Sequence, residues 1–135
     1  MNTGTLRFND KLVISNQLTK AGFLQHVGTQ AEMNVANPPY FSYRLPPLLI
    51  ENVQTILVIY FKGERVQEVH LYPLWEDSPR SWGQYDLAQE ENRKKQNDAF
   101  LRQIFGEPPY QYNWGGVTSI IDKKAGHSEI IIRYK

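Results

Sequence analysis

The chain has no cysteine, which excludes disulfides, thiolate metal sites and a cysteine nucleophile. It has only three histidines, His26, His70 and His127, so a zinc site would have to be completed by carboxylates. Charge of one sign is also missing. Fifteen Lys and Arg offset 14 Asp and Glu to leave a net +1, and a chain so balanced carries no surface built for a phosphate backbone. The longest apolar run is Ile56-Leu57-Val58-Ile59-Tyr60-Phe61, far short of the roughly 20 residues that span a bilayer. The opening Met1-Asn2-Thr3-Gly4-Thr5-Leu6-Arg7-Phe8 has neither the basic start nor the apolar stretch of a secretory signal. A cytoplasmic protein with no membrane contact is expected. Nucleophile-elbow, phosphate-loop and dinucleotide glycine patterns do not occur.

What is present reads as one globular domain over residues 1–135. A chain of 135 residues buries about two-thirds of its unfolded surface. Leu6 and Phe8 alternate with Arg7 and Asn9 at the period of a strand, and after the Asn9-Asp10 turn Lys11 to Ile14 returns as a second. Ser15 or Asn16 suits a helix N-cap. Leu18, Ala21, Leu24 and Val27 then repeat at helical spacing over Gln17–Val27, and Gly28 is the stop. Asn34, Asn37, Pro38 and Pro39 predict a loop over 29–39. Tyr40 to Leu45 is an aromatic strand closed by Pro46-Pro47. Gln54 to Phe61, β-branched and apolar, predicts a central strand covered on both faces, and it turns at Lys62-Gly63-Glu64 into Arg65–Leu71.

Two prolines and a glycine keep 72–85 irregular. Asp86 with Gln89 approximates a capping box for a helix reaching Phe105, with Glu90–Lys94 and Glu91–Lys95 as exposed i,i+4 pairs. Its first half reads as solvated. Its last two turns, with Phe100, Leu101, Ile104 and Phe105, read as core. Tyr110 to Asp122 is the next strand, bulged at Gly115-Gly116. After Lys123–Gly126 the chain returns through Ser128–Tyr134, with Ile130, Ile132 and Tyr134 on one face and Glu129 and Arg133 on the other.

These elements predict an α+β fold: a mainly antiparallel sheet with two helices packed on it. Residues 21–28 and 98–106 echo each other, each placing Phe-Leu before a glycine stop, a proline pair and an aromatic strand. Two helix-and-hairpin units sharing one sheet is one reading of that echo; chance likeness of helix ends is the other. The expected core is Phe23, Leu24, Ile56, Val58, Tyr60, Val69, Leu71, Phe100, Leu101, Ile104, Ile130 and Ile132.

Few residues carry chemistry. Glu68 and His70 share a strand face, a spacing that reads first as a solvent-facing polar pair. Ser119, Asp122 and His127 fall in one hairpin, which offers little of the concavity a catalytic triad needs. Glu76-Asp77 and Glu90-Glu91 lie in polar stretches and read as solvated. Aromatic content is 13%, and aromatics on a sheet can stack bases, but the basic residues are scattered and nucleic acid is not expected. Tyr72, Trp75, Trp82 and Tyr85, rimmed by Glu76, Asp77 and Arg80, crowd the irregular segment. Trp and Tyr bury large area at small entropic cost, so Tyr72, Trp75, Arg80, Trp82 and Tyr85 are the candidate binding residues. The alternative is that the rings cap the end of the core.

The C-terminal stretch, with Trp114-Gly115, Ser119, Asp122-Lys123, Gly126, Ser128 and Ile130-x-Ile132-x-Tyr134, resembles small uncharacterised bacterial α+β proteins. Some of those are suspected immunity or accessory factors. The resemblance covers about 25 residues and carries no catalytic residue. It supports a non-enzymatic reading, and a near-neutral chain with no cysteine, three histidines and no nucleophile motif points to a protein-binding domain, with no cofactor or metal expected and assembly into homo-oligomers left open. The competing expectation is a small hydrolase using Glu68, His70 or Asp122.

Overall fold

The computed structural model describes residues 5–7, 13–75, 87–122 and 127–135. Leu6–Arg7 (β1) and Val13–Ile14 (β2) pair antiparallel as a small separate ribbon. Lys20–Val27 is the first helix (α1), followed by a 3₁₀ turn over Gly28–Gln30. Then come strands Glu32–Asn37 (β3), Tyr40–Ile50 (β4), Val53–Lys62 (β5) and Arg65–Pro73 (β6), and the second helix, Leu87–Phe105 (α2). Strands Gln111–Tyr112 (β7), Gly115–Asp122 (β8) and His127–Tyr134 (β9) complete the chain. The seven strands from β3 onward form one antiparallel sheet in the order β3-β4-β5-β6-β9-β8-β7. The fold is therefore α+β.

Both helices cover the same face. Along the registers, Tyr43 lies opposite Ile59, Ile59 opposite Val69, Val69 opposite Ile132, and Ile132 opposite Val117. All five are buried in one cluster with Phe23 and Val27 of α1 and with Phe100, Leu101 and Phe105 of α2. Phe23 sits 5.7 Å from Tyr43 and 5.5 Å from Phe61, ring centre to ring centre. Of the expected core, Phe23, Val69, Leu71, Phe100, Leu101, Ile130 and Ile132 are in that cluster, and Leu24 and Ile104 pack half-buried against it.

The β5 parity differs from expectation. Leu57, Ile59 and Phe61 face the helices, whereas Ile56, Val58 and Tyr60 take the other side. A strand that is apolar at six consecutive positions does not reveal which alternate set meets the core. Val58 is nonetheless buried, so β5 is covered on both faces as its composition predicts.

Four boundaries also differ. The α1 cap is Thr19, whose hydroxyl accepts from the Gly22 N–H at 3.0 Å; Ser15 and Asn16 precede the helix. The expected loop over 29–39 contains β3, hairpinned to β4 through Pro38-Pro39. Strand β4 runs past Pro46-Pro47 because the register shifts between Leu45 and Leu48, and a bulge spares proline the ladder bond it cannot donate. Tyr110–Asp122 is two strands. Asn113 and Trp114 form the turn that folds β7 onto β8, pairing Tyr112 with Gly115. Gly115 thus serves a close approach at a hairpin end, where a β-carbon would lie 1.8 Å from the Arg133 carbonyl oxygen. Gly28 (φ 57°) and Gly106 (φ 84°) stop their helices as expected, their N–H groups bonding the Leu24 and Arg102 carbonyls.

Candidate functional site

Three features stand out from the scaffold. The first is a charged cluster on the sheet face turned away from the helices. Strand alternation aligns Tyr60, Glu68, His70 and Tyr72 with Glu129 and Arg133 of the neighbouring β9. His70 lies between two carboxylates: Nδ1 is 3.0 Å from Glu129 Oε2 and Nε2 is 3.2 Å from Glu68 Oε2. Glu68 Oε1 in turn accepts from Arg133 Nε at 2.8 Å. The His70 ring packs 4.5 Å from that of Tyr60 and 6.4 Å from that of Tyr72.

Burial alone would lower the His70 pKa, but the hydrogen bonds and charges of Glu129 and Glu68 outweigh it and raise it. Burial pushes Glu68 up, yet hydrogen bonds from Arg133 and His70 hold it below the usual carboxylate range. Burial, then Glu129, raises both Tyr60 and Tyr72. The cluster is therefore a carboxylate–imidazole–carboxylate bridge in which the two acids favour the protonated ring, flanked by two phenols. This corrects the solvent-facing reading of Glu68 and His70. The missing member was Glu129, whose face was legible but whose neighbour across the β6–β9 pairing was not. The carboxylates meet opposite edges of the imidazole, and among the described residues no group of three or more acidic or histidine side chains is arranged to hold a metal ion.

The second feature is a polar stripe on α2. Glu90, Arg93 and Asn97 recur at helical spacing on its inward side and are 0%, 4% and 1% exposed. Arg93 Nη1 donates to Glu90 Oε2, and the Ser128 hydroxyl lies 2.9 Å from the Glu90 carbonyl and 3.1 Å from its Oε1. This corrects the expectation of a solvated first half and of Glu90–Lys94 pairing; Lys94 pairs with Asp98 at 3.0 Å. Beyond Asn97 the same side continues as Phe100, Leu101 and Phe105. A charge periodicity looks alike whether its face is wet or buried, so no sequence pattern marks this stripe.

The stripe borders a cavity of about 330 Å³ at the end of the sheet where β6 runs out, lined among others by Arg44, Ile56, Tyr72 and Trp75. Of the candidate binding residues, the structure brings Tyr72 and Trp75 to this cavity, both half-buried. Trp75 Nε1 donates to Asn97 Oδ1 at 2.9 Å, and its ring meets Phe100 edge-on at 6.1 Å. Arg80, Trp82 and Tyr85, with Glu76 and Asp77, lie outside the described residues.

The third feature is the β3 edge. All six β3 residues are exposed, including Met33 at 54% and Val35 at 46%. Among the described residues β3 pairs only with β4. The opposite edge, β7, has two residues and so offers little to a pairing strand.

Two expectations resolve in this geometry. Asp122 shares the cluster's face, while Ser119, three positions earlier on β8, points to the other, so Ser119 and Asp122 do not converge. No described helix is long and apolar enough to cross a membrane. Comparison with protein-family models, with curated proteins and with solved structures finds no match to this chain.

Proposed function

We propose that this is a non-enzymatic protein-binding domain, of the immunity-inhibitor or accessory kind and acting in the cytoplasm, which takes an extended strand of another protein along β3. The observation that carries the reading is the β3 edge. Its outer N–H and C=O groups face away from β4, it holds no proline and one charge, Glu32, and Met33 and Val35 are exposed on it. Natural proteins blunt such edges with lysine, proline, a β-bulge or a very short strand; β3 has the register irregularity between Met33 and Val35 but neither the lysine nor the proline. A six-residue edge with Met33 and Val35 exposed is suited to strand addition, where backbone hydrogen bonds supply affinity and alternate side chains supply specificity.

The hydrolase alternative draws on Glu68, His70 and Asp122, and the bridge weakens it. Both His70 nitrogens lie against carboxylates, and in the protonated form that these favour the ring donates from both and has no lone pair to take a proton from water or a hydroxyl.

The test is a Val35→Lys substitution. The side chain is exposed, so the melting temperature should hold while binding fails. The expected result is that a protein recovered with the wild type, and re-formed with it from two purified components, is lost with Val35→Lys. Undiminished binding by the variant would remove β3 as the contact. Recovery of nothing but further copies of this chain, broken by the same substitution, would make the edge a self-association surface.

A further inference from the structure

The geometry points to the outer edge of β8 as a docking site for an extended segment of another protein, laid antiparallel along residues 117–122 and presenting a threonine opposite Ser119. The site does not rest on the partner reading above, since β3 lies at the far end of the sheet. Among the described residues β7 pairs with β8 only through Gln111–Gly116 and Tyr112–Gly115. The last link on that side is the Val117 N–H, which donates to the Tyr110 carbonyl at 3.0 Å. Pro109 and Pro108 come next, and neither has an N–H to carry the ladder on.

The direction of the Val117 N–H settles the rest of the strand. In an antiparallel ladder the residues of one strand alternate between pairs that exchange both backbone bonds and pairs that exchange none. Val117, Ser119 and Ile121 therefore turn their N–H and C=O groups away from β9, while Thr118, Ile120 and Asp122 face Ile131, Glu129 and His127 across the bonded pairs. The Val117 carbonyl and both groups of Ser119 and Ile121 have no backbone partner among the described residues. Residues 117–122 carry neither lysine nor proline, two of the devices that keep an edge from pairing. Donors and acceptors at this alternation match a second extended backbone, and β7 has already begun one on the same edge.

The side chain opposite Ser119 follows from the space beside it. A residue directly across an antiparallel pair turns to the same side of the sheet as its partner. Here that side holds a cavity of about 410 Å³, lined by Leu101 of α2, by Pro108, Tyr110 and Val117, and by Ser119 itself. Ser119 Oγ is buried and has no hydrogen-bond partner, a state that is unfavourable for a hydroxyl. Threonine meets both conditions. Its hydroxyl can bond Ser119 after rotation about the serine Cα–Cβ bond, as hydroxyl pairs do across strands, and its methyl faces the apolar wall of Leu101 and Val117. A β-branched residue also favours the extended backbone that the edge requires.

The test uses the acetylated, amidated peptide Lys-Val-Val-Thr-Val-Lys as the probe, read by amide hydrogen exchange in ¹H–¹⁵N spectra of the full chain. In the free protein the Ser119 and Ile121 amides should exchange rapidly and those of Thr118 and Ile120 slowly. The probe at millimolar concentration should slow Ser119 and Ile121 saturably. Methylating the threonine nitrogen, which faces β8, should abolish that protection, whereas methylating the nitrogen of the valine before it, which faces away, should leave it. Exchanging the threonine for valine should weaken the probe about fivefold, and Ser119→Ala should erase the difference between the two peptides. Ser119 and Ile121 amides that are already slow in the free chain, or unmoved by the probe, overturn the proposal. So does protection confined to β3, or equal protection by the threonine-methylated peptide. A valine probe that binds as tightly as the threonine probe overturns the threonine assignment.

Discussion

Replacing His70 by leucine tests the charged bridge most directly. The loss is governed by Glu129, which is 4% exposed, rather than by Glu68, which keeps its bond from Arg133. Stripping the partner from a buried ion pair leaves an uncompensated charge and costs about 3–5 kcal/mol, while a single hydrogen bond to a charged group is worth about 1.5–3 kcal/mol. Glu129 retains an interaction with Tyr72, which keeps the expectation below the upper bound. We expect His70→Leu to lose about 2–4 kcal/mol at pH 6. Adding Glu129→Gln should then restore stability, because the amide removes the orphaned charge.

The pH dependence has a definite sign. The folded-state pKa of His70 is raised above its ordinary 6.5. Its contribution is therefore complete below about pH 6.5 and is lost as pH rises through the raised value, because the folded state holds the proton longer than the unfolded chain does. Glu68 works in the opposite direction. Its pKa is lowered from 4.5, so its contribution is present above about pH 4.5 and is lost as pH falls through the depressed value. The wild type should lose stability as pH rises from about 6.5 through the raised value, with a slope approaching 1.4 kcal/mol per pH unit at most, and His70→Leu should be flat over that range. Urea unfolding at pH 6, 7.5 and 9, together with an NMR titration of the His70 imidazole, reads both effects. A variant within about 0.5 kcal/mol of wild type at pH 6, parallel pH slopes, or a His70 that titrates below 6.5 would refute the bridge as a stabilising element.

Two further substitutions probe the scaffold. Leu101→Ala, at a residue 1% exposed, should cost about 2–5 kcal/mol in urea unfolding, and a loss below about half a kcal/mol would take Leu101 out of the core. Gly115→Ala drives a β-carbon to within 1.8 Å of the Arg133 carbonyl oxygen, a backbone atom with little room to yield, and should cost at least about 2 kcal/mol; an unchanged melting temperature would mean that β8 and β9 do not approach so closely there.

How far the sequence reaches depends on which physical signal each element carries. Hairpins and helix stops were legible because Gly63, Gly28 and Gly106 occupy positive-φ positions that glycine fills without strain. The β6 and β9 faces were legible because polar and apolar residues alternate along Glu68–Leu71 and Ser128–Tyr134. The β5 face was not, since all six residues from Ile56 to Phe61 are apolar and either parity satisfies the pattern. β3 was hidden because its residues are exposed on both faces, so no burial pattern marks it and its asparagines read as loop.

The site suffered from a different limit. Glu129 sits 59 residues after His70, and only the β6–β9 register makes them neighbours. Local periodicity says which face a residue takes, never which distant strand lies beside it. The α2 stripe is harder still, because Glu90, Arg93 and Asn97 follow the spacing of an ordinary solvated helix face. What distinguishes them is that Ser128 and Trp75 reach them from β9 and the end of β6. Replacing buried ion pairs by well-packed apolar residues is often neutral or stabilising, so the helix would lose little stability by continuing the apolar side of Phe100 and Leu101 toward its N-terminus. It turns polar instead where β9 and the end of β6 reach it: the Ser128 hydroxyl bonds Glu90, and Asn97 accepts from the Trp75 indole. Apolar area would hold α2 on the sheet in many registers, whereas hydrogen bonds from Ser128 and Trp75 fix where along β9 and β6 its first half sits.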